Sequence, residues 1–142
     1  LIVTGLVLPT GGGATAPVPP SGRVCFEVGV PSGDVAVINL TPVLADGVGS
    51  GVLSSSDVDF PGTVSNVNYD VGSVDPNLAF AVPGADGQVC FRNNDRAELD
   101  LVADSVASIA ADSWTVPTGS DSPVRVLDTR DGSGPIEPES ES

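Results

Sequence analysis

Residues 22–28 read GRVCFEV and residues 87–91 read GQVCF, so one short pattern occurs twice in the chain. In the first copy, the apolar side chains of Val24, Phe26 and Val28 recur at every second position. Successive side chains of a β-strand point to opposite faces, so a period of two predicts strands with one buried face.

Similar apolar runs follow one another at a spacing of about ten residues, each bounded by Gly, Pro, Asn or Asp. Short strands at such a spacing are typical of a sandwich or barrel. The predicted strands are Arg23–Val28, Val35–Val43, Gly51–Ser54, Thr63–Tyr69, Leu78–Val82, Gln88–Arg92, Leu99–Val106, Ser108–Thr115 and Val124–Asp128. We therefore expect an all-β fold, an antiparallel β-sandwich with an N-terminal extension strand.

One segment, residues 99–111, permits a second interpretation, because its alanines also favour a helix. In its first half, Leu99 and Leu101 alternate with Asp100 and Asp104 in the manner of a strand. We therefore predict strands here and keep the helix as the alternative.

The two cysteines, Cys25 and Cys90, occupy the same phase of the repeated pattern and lie about 65 residues apart. A cysteine pair in a small acidic chain rich in Ser, Thr and Gly is typical of an oxidising compartment, where disulfides persist. Closing a loop of this size stabilises a fold by about 4 kcal/mol in the chain-entropy model. We expect a Cys25–Cys90 disulfide, and the alternative is two buried thiols on neighbouring strands.

The charge composition excludes several classes of function. The chain has 19 acidic and 5 basic residues, a formal net charge of −14, and neither lysine nor histidine. This charge repels phosphate backbones and anionic membranes, so we expect no nucleic-acid partner, and no apolar run is long enough for membrane insertion. Without imidazole or amine side chains, the usual bases, Schiff bases and histidine ligands are missing, so we expect neither an enzyme nor a cofactor.

Composition divides the chain into three zones. Residues 1–20 hold a short apolar run, LIVTGLVL, followed by a Gly/Pro-rich linker, and residues 21–130 hold the predicted β-sandwich domain. Residues 131–142 form an acidic tail ending in PIEPESES. The first residues also resemble the end of a signal-peptide apolar region, so we expect a processed chain that is secreted and extracellular, at the cell surface.

Two acidic stretches resemble calcium-binding turns. They are Asp86-Gly87 and residues 128–134, which read DTRDGSG. In the second stretch, Arg130 stands where the next oxygen ligand of a calcium loop is required. Ordinary β-turns are therefore the preferred interpretation, and we expect no metal site.

Paired carboxylates raise the question of glycoside hydrolysis, because that reaction uses two of them at a fixed separation. The candidate pairs are Asp57 with Asp59 and Asp100 with Asp104. With one Trp, one Tyr and four Phe, the chain has few aromatic side chains to line a sugar cleft. Solvated strand faces are the preferred interpretation, and we expect no catalytic residue.

Several phrases occur in one order along about a hundred residues. They are VPSGDVAVINLT (30–41), SNVNY (65–69), DGQVC (86–90), LDLVAD (99–104) and PVRVLDTR (123–130). Together they resemble a β-rich repeat module of large secreted actinobacterial surface proteins, some of which carry cell-wall hydrolase domains. The resemblance implies an extracellular β-rich module without catalytic residues. The chain departs from it at residues 105–111, SVASIAA, where the family has a Gly-Tyr-Phe-like turn.

A second departure is that this chain holds one module behind an apolar segment, whereas the family forms tandem arrays. An apolar β-prone segment on a linker is what a subunit needs to donate a strand to its neighbour's sheet. Repeated head to tail without closure, that contact builds a filament. The predicted assembly residues are Leu1, Ile2, Val3, Leu6, Val7 and Leu8. Pairing of this segment with its own domain, as an edge strand, remains the alternative.

The sequence thus favours a structural role. We expect a subunit of an extracellular bacterial filament or surface assembly, a homo-oligomer or polymer joined head to tail by N-terminal strand donation. The alternative belongs to a different class: a cell-wall or glycan-binding adhesion module of a larger secreted protein or of a phage virion.

Overall fold

A computed structural model of the chain describes residues 17–43, 45–58 and 64–115. The described elements are β1 (Arg23–Glu27), β2 (Val35–Val43), β3 (Gly49–Ser55), β4 (Val67–Tyr69), β5 (Asn77–Ala81), β6 (Gln88–Asn93), β7 (Asp100–Ile109) and a short 3-10 helix (Ala111–Ser113). They form a four-stranded sheet in the order β1-β6-β3-β4 and a three-stranded sheet in the order β5-β2-β7. All strand pairs are antiparallel, and the predicted all-β sandwich is confirmed.

The hydrophobic core lies between the two sheets and follows the predicted period of two. On β1, Phe26 is buried while its neighbour Glu27 is exposed. At the start of β7, Leu99, just before the strand, and Ala103 are buried on either side of half-buried Leu101. The largest buried apolar side chains of the core are Phe26, Phe91, Ile38, Leu40, Leu53 and Leu99. Each such side chain contributes about 1.5–3 kcal/mol through the removal of apolar surface from water.

Strand β3 begins with glycines because aromatic rings occupy the space beside it. A Cβ atom added to Gly51 would overlap the ring of Phe91, and one added to Gly49 would overlap the ring of Tyr69. The close approach of ring and backbone therefore requires the absence of a side chain at both positions. Lacking an apolar pattern there, the sequence predicted this strand only from Gly51.

Pro42 lies inside the central strand β2, where proline is rarely tolerated. It stands opposite Leu101 of β7, whose backbone N–H and C=O groups point away from β2. On the other side, the pairing with β5 ends where Leu40 meets Asn77. Neither neighbour in the sheet therefore needs an N–H from residue 42, and the strand Val35–Val43 has the predicted bounds.

The predicted separate strand Ser108–Thr115 is wrong. Strand β7 continues as a single strand to Ile109, opposite Val35 at the start of β2, and a bulge between Val37 and Ile38 of the register accommodates one extra residue. The 3-10 helix follows at once, so the helical interpretation of residues 99–111 is also not adopted.

The other predicted boundaries differ from the observed strands by smaller amounts. Within the described residues, the predicted strand Thr63–Tyr69 is reduced to Val67–Tyr69. Just before it, Asn66 bonds β3 through its side chain, because Asn66 Oδ1 accepts from Leu53 N, while the backbone N–H of Asn66 donates to Gly51 O. The predicted strand Val124–Asp128 and the predicted N-terminal extension strand lie outside the described residues.

Candidate functional site at the open edges of the three-stranded sheet

Four exposed apolar side chains lie on the outer face of the three-stranded sheet. Leu78 and Phe80 on β5 and Val102 and Val106 on β7 each leave 43–48% of their surface exposed. Monomeric soluble proteins rarely leave apolar side chains grouped on one face, and such groups commonly mark interaction sites. This outer face is therefore the leading candidate for a functional surface.

Trp114 covers part of this face next to β5. Its ring stacks on that of Phe80 with the centroids 5.5 Å apart and an angle of 17° between the planes. Before it, the backbone N–H of Ala111 donates to Asp34 Oδ1 at 3.0 Å, which fixes the chain beside the start of β2. Residues 110–114 thus run from the end of β7 past the start of β2 to β5.

The N-terminal part of the described chain meets the sheet at the opposite edge. Val18 N donates to Leu99 O at 2.6 Å and Leu99 N donates to Val18 O at 3.2 Å, as an antiparallel bridge just before β7. Pro17 and Pro19 flank Val18, and they occupy the alternate positions at which an edge strand needs no N–H towards its neighbour. The segment therefore enters the fold as the beginning of an edge strand.

A buried polar cluster holds this segment in place. Asn93 Nδ2 donates to Val18 O, Pro19 O and Ala97 O at 3.4, 3.2 and 2.7 Å, and its Oδ1 accepts from Tyr69 Oη at 2.5 Å. Asn93 is completely buried and Tyr69 is 3% exposed. A buried amide with its polar groups bonded is favourable, while an unpaired one is costly.

The same cluster shifts the titration of the phenol. Burial of Tyr69 raises its pKa to about 12, and the negative charge of Asp95 adds to the shift. Asp95 itself accepts from Ser50 N at 2.6 Å and from Ser50 Oγ at 3.3 Å. No local sequence pattern indicates this cluster, because its members come from the entering segment, β3, β4 and the end of β6.

The Val18–Leu99 bridge also establishes which backbone groups of β7 are unpaired. In an antiparallel strand, the N–H and C=O groups of successive residues face opposite neighbours. Because Leu99 faces Val18, Leu101 and Ala103 face the same open side, while Val102 faces β2. No described residue pairs with this edge beyond Leu99.

The same alternation applies across β2 to the other edge. Thr41 of β2 lies opposite Val102 and so faces β7, which leaves the adjacent Leu40 facing β5. Its partner Asn77 must face β2 in return, as must every second residue of β5. The backbone groups of Leu78 and Phe80 consequently point to the open side of β5, and no described strand pairs there.

The predicted disulfide joins Cys25 and Cys90, which lie directly opposite each other on β1 and β6, with Cα atoms 4.0 Å apart. It links the edge strand of the four-stranded sheet to its neighbour, on the sheet's outer side. The alternative of two buried thiols is not realised. A structural disulfide of this kind fits an oxidising, extracellular compartment.

The acidic turn at Asp86 is a hydrogen-bonded β-turn. Asp86 Oδ1 accepts from Ser56 Oγ at 2.5 Å and from Gln88 N at 3.0 Å, and these bonds, Ser56 first, lower the pKa of the carboxyl. Within the described residues, no group of three or more Asp, Glu, Cys or His side chains is placed to hold a metal ion. Residues 128–134 lie outside the described part.

The candidate carboxylate pairs do not form a hydrolytic site in the described residues. Asp100 and Asp104 both face outward on β7, four positions apart, which corresponds to about 13 Å along a strand. This exceeds the separation of about 5–9.5 Å that glycosidases use. Asp57 instead accepts from Ala85 N at 3.0 Å, and Asp59 lies outside the described residues.

The predicted assembly residues, Leu1 to Leu8, also lie outside the described residues, so the structure places only the point where their segment enters. Comparison with known protein families, with curated proteins and with solved structures finds no match for this chain. The described residues include no helix with the length and hydropathy of a membrane span.

Proposed function

We propose that the chain is a structural subunit of an extracellular bacterial filament or surface assembly, joined head to tail by donation of the N-terminal strand Leu1–Leu8. The observation that carries this proposal is the Val18–Leu99 bridge. It brings the N-terminal part of the described chain to the start of β7, an edge strand of the three-stranded sheet.

Nine residues, PTGGGATAP (9–17), separate the apolar segment Leu1–Leu8 from Val18. Fully extended, a linker of this length spans roughly 30 Å, which is enough for the segment to reach a neighbouring copy.

The composition of the N-terminal segment Leu1–Leu8 suits a donated strand. LIVTGLVL contains no charged residue, although the whole chain carries a formal net charge of −14. A strand with apolar side chains on both faces satisfies its backbone and buries its side chains only when it joins another sheet. The disulfide between β1 and β6 supports the same role, because it stabilises a subunit that is exposed outside the cell.

Deletion of residues 1–10 tests the proposal. The full chain is expected to form concentration-dependent oligomers or filaments in light scattering and negative-stain electron microscopy. The deletion variant is expected to be a monomer with an unchanged circular dichroism spectrum and melting temperature. A deletion of the acidic tail, residues 131–142, is the size-matched control and should assemble normally.

Pairing of the segment with its own domain makes the opposite prediction. In that case the deletion lowers the melting temperature, and the full chain is a monomer at every concentration. This result would contradict strand donation.

One observation favours a second candidate, the cell-wall glycan-binding module. The stacked Phe80 and Trp114 rings are both more than a third exposed, and aromatic faces of this kind commonly line ligand sites. A pull-down with purified peptidoglycan decides between the two. Saturable binding by the monomeric deletion variant, abolished by Trp114→Ala, would favour the glycan-binding role.

A further inference from the structure

Among the described residues, the sandwich has four strands at a sheet edge, and three of these edges carry features that natural proteins use to prevent edge-to-edge pairing. Such features are charged side chains, very short strands and covering segments. Strand β1 has Arg23 and Glu27 at its two ends, and β4 has three residues. Strand β7 carries Asp100 and Asp104, and the entering N-terminal segment lies at its start.

In the described part of the chain, β5 has no charged side chain and no segment paired with its edge, while Trp114 packs on its outer face. Its five residues, NLAFA, include no charge and no proline. Leu78 and Phe80, whose backbone N–H and C=O groups point to the open side, also present their half-exposed apolar side chains to the outer face. Beside them, Trp114 extends the apolar surface by stacking on Phe80. An added strand would therefore find both hydrogen-bonding groups and an apolar surface at one edge.

We propose that the open edge of β5 is the acceptor for Leu1–Leu8 of a second copy of this chain. This inference rests on the proposed function, because it names the partner surface of the donated strand. An uncharged strand suits an uncharged edge on a strongly acidic protein, where an acidic segment would be repelled. The bridge from Val18 brings each chain's own N-terminal part to β7, on the far side of β2 from its own β5. A strand donated to β5 then comes from a neighbour.

A complementation experiment with full-length variants tests this acceptor. Phe80→Lys places a charge on the acceptor edge, and the double variant Ile2→Glu/Leu6→Glu places charges on the donated strand. Val48→Lys is the control, since Val48 is an exposed valine in the loop before β3, outside the apolar outer face of the three-stranded sheet. Melting temperatures identify any variant that has lost its fold.

The proposal predicts that neither the acceptor variant nor the donor variant assembles alone, whereas Val48→Lys assembles as the unmodified chain does. Mixing the first two should give a one-to-one heterodimer by light scattering, because one retains an intact donor strand and the other an intact β5 edge. This heterodimer should not grow into longer oligomers, because its remaining acceptor edge carries Phe80→Lys and its remaining donor strand carries Ile2→Glu/Leu6→Glu.

Three results would contradict the proposal, and they are distinguishable. If Phe80→Lys assembles normally, β5 is not the acceptor, while strand donation itself survives. If the Ile2→Glu/Leu6→Glu variant assembles normally, strand donation fails, and the acceptor fails with it. If Phe80→Lys neither assembles nor joins the donor variant, the acceptor assignment is wrong, because loss of the acceptor edge leaves the donor strand intact.

Discussion

Raising the pH above 10 should weaken the fold through one side chain, Tyr69. It is the only tyrosine, the chain contains no lysine, and both cysteines are joined in the disulfide. Arginine side chains stay charged throughout this range. Between pH 9 and 12, the pH dependence of stability therefore reports on the Tyr69 phenol alone.

The direction and size of the effect follow from its pKa. Burial, with a further contribution from the charge of Asp95, raises the pKa of Tyr69 from 10.0 to about 12. The folded state thus keeps the phenolic proton over a range in which the unfolded chain releases it. The stabilisation is complete below pH 10 and is lost as the pH rises to 12, a loss of about 2 kcal/mol after allowance for solvent screening.

The assay is a series of urea titrations from pH 8 to 12, with the absorbance of tyrosinate recorded on the folded protein. Tyr69→Phe is the control. At pH 8 it should cost about 1 kcal/mol, because Asn93 Oδ1 loses the phenol but keeps the N–H of Asp95, which lies at 3.1 Å. Above pH 10 its stability should remain level.

Two results would refute this reasoning. One is a tyrosinate midpoint near pH 10 in the folded protein, which would mean that the phenol is solvated. The other is a Tyr69→Phe variant whose stability declines at alkaline pH as steeply as that of the unmodified chain.

Three further predictions concern the scaffold. Gly51→Ala should lower the free energy of unfolding by about 1–3 kcal/mol in urea titrations, because the added methyl group meets the ring of Phe91. Replacing Cys25 and Cys90 by serine should cost about 4 kcal/mol, as expected for releasing a 65-residue loop, and an unchanged urea midpoint would contradict this. Carbon-13 NMR should find that the pKa of the Asp86 carboxyl lies below its ordinary value of 3.8. The carboxylate therefore stabilises the fold fully above pH 3.8, and this contribution is lost as the pH falls through the lowered pKa. Asp86→Asn should lack this pH dependence.

The alternating strands were predictable because their information is local. In β2 and β6 the residues of the hydrophobic core recur at every second position, at Ala36, Ile38 and Leu40 and at Val89 and Phe91. The cysteines share a phase that brings them into opposite positions. The strand predicted at Ser108–Thr115 failed because its boundary depends on pairing with the start of β2, a contact between distant segments.

The candidate surface was not predictable for the same reason. Leu78 and Phe80 belong to a recognisable strand, but its place at a sheet edge follows from the order β5-β2-β7, in which no described strand lies beyond β5. The bridge from Val18 and the bonds of Asn93 likewise join segments that are distant in sequence. Local patterns thus predicted which residues form strands, while the open edges became visible only in the folded chain.

The central claim is that a strand donated by one copy is bound by the next. Its most direct measurement is negative-stain electron microscopy of the purified full chain beside the variant lacking residues 1–10, at matched concentration. Strand donation predicts filaments or end-to-end oligomers from the full chain and only single particles from the variant. Single folded particles from both, or filaments from both, would contradict it.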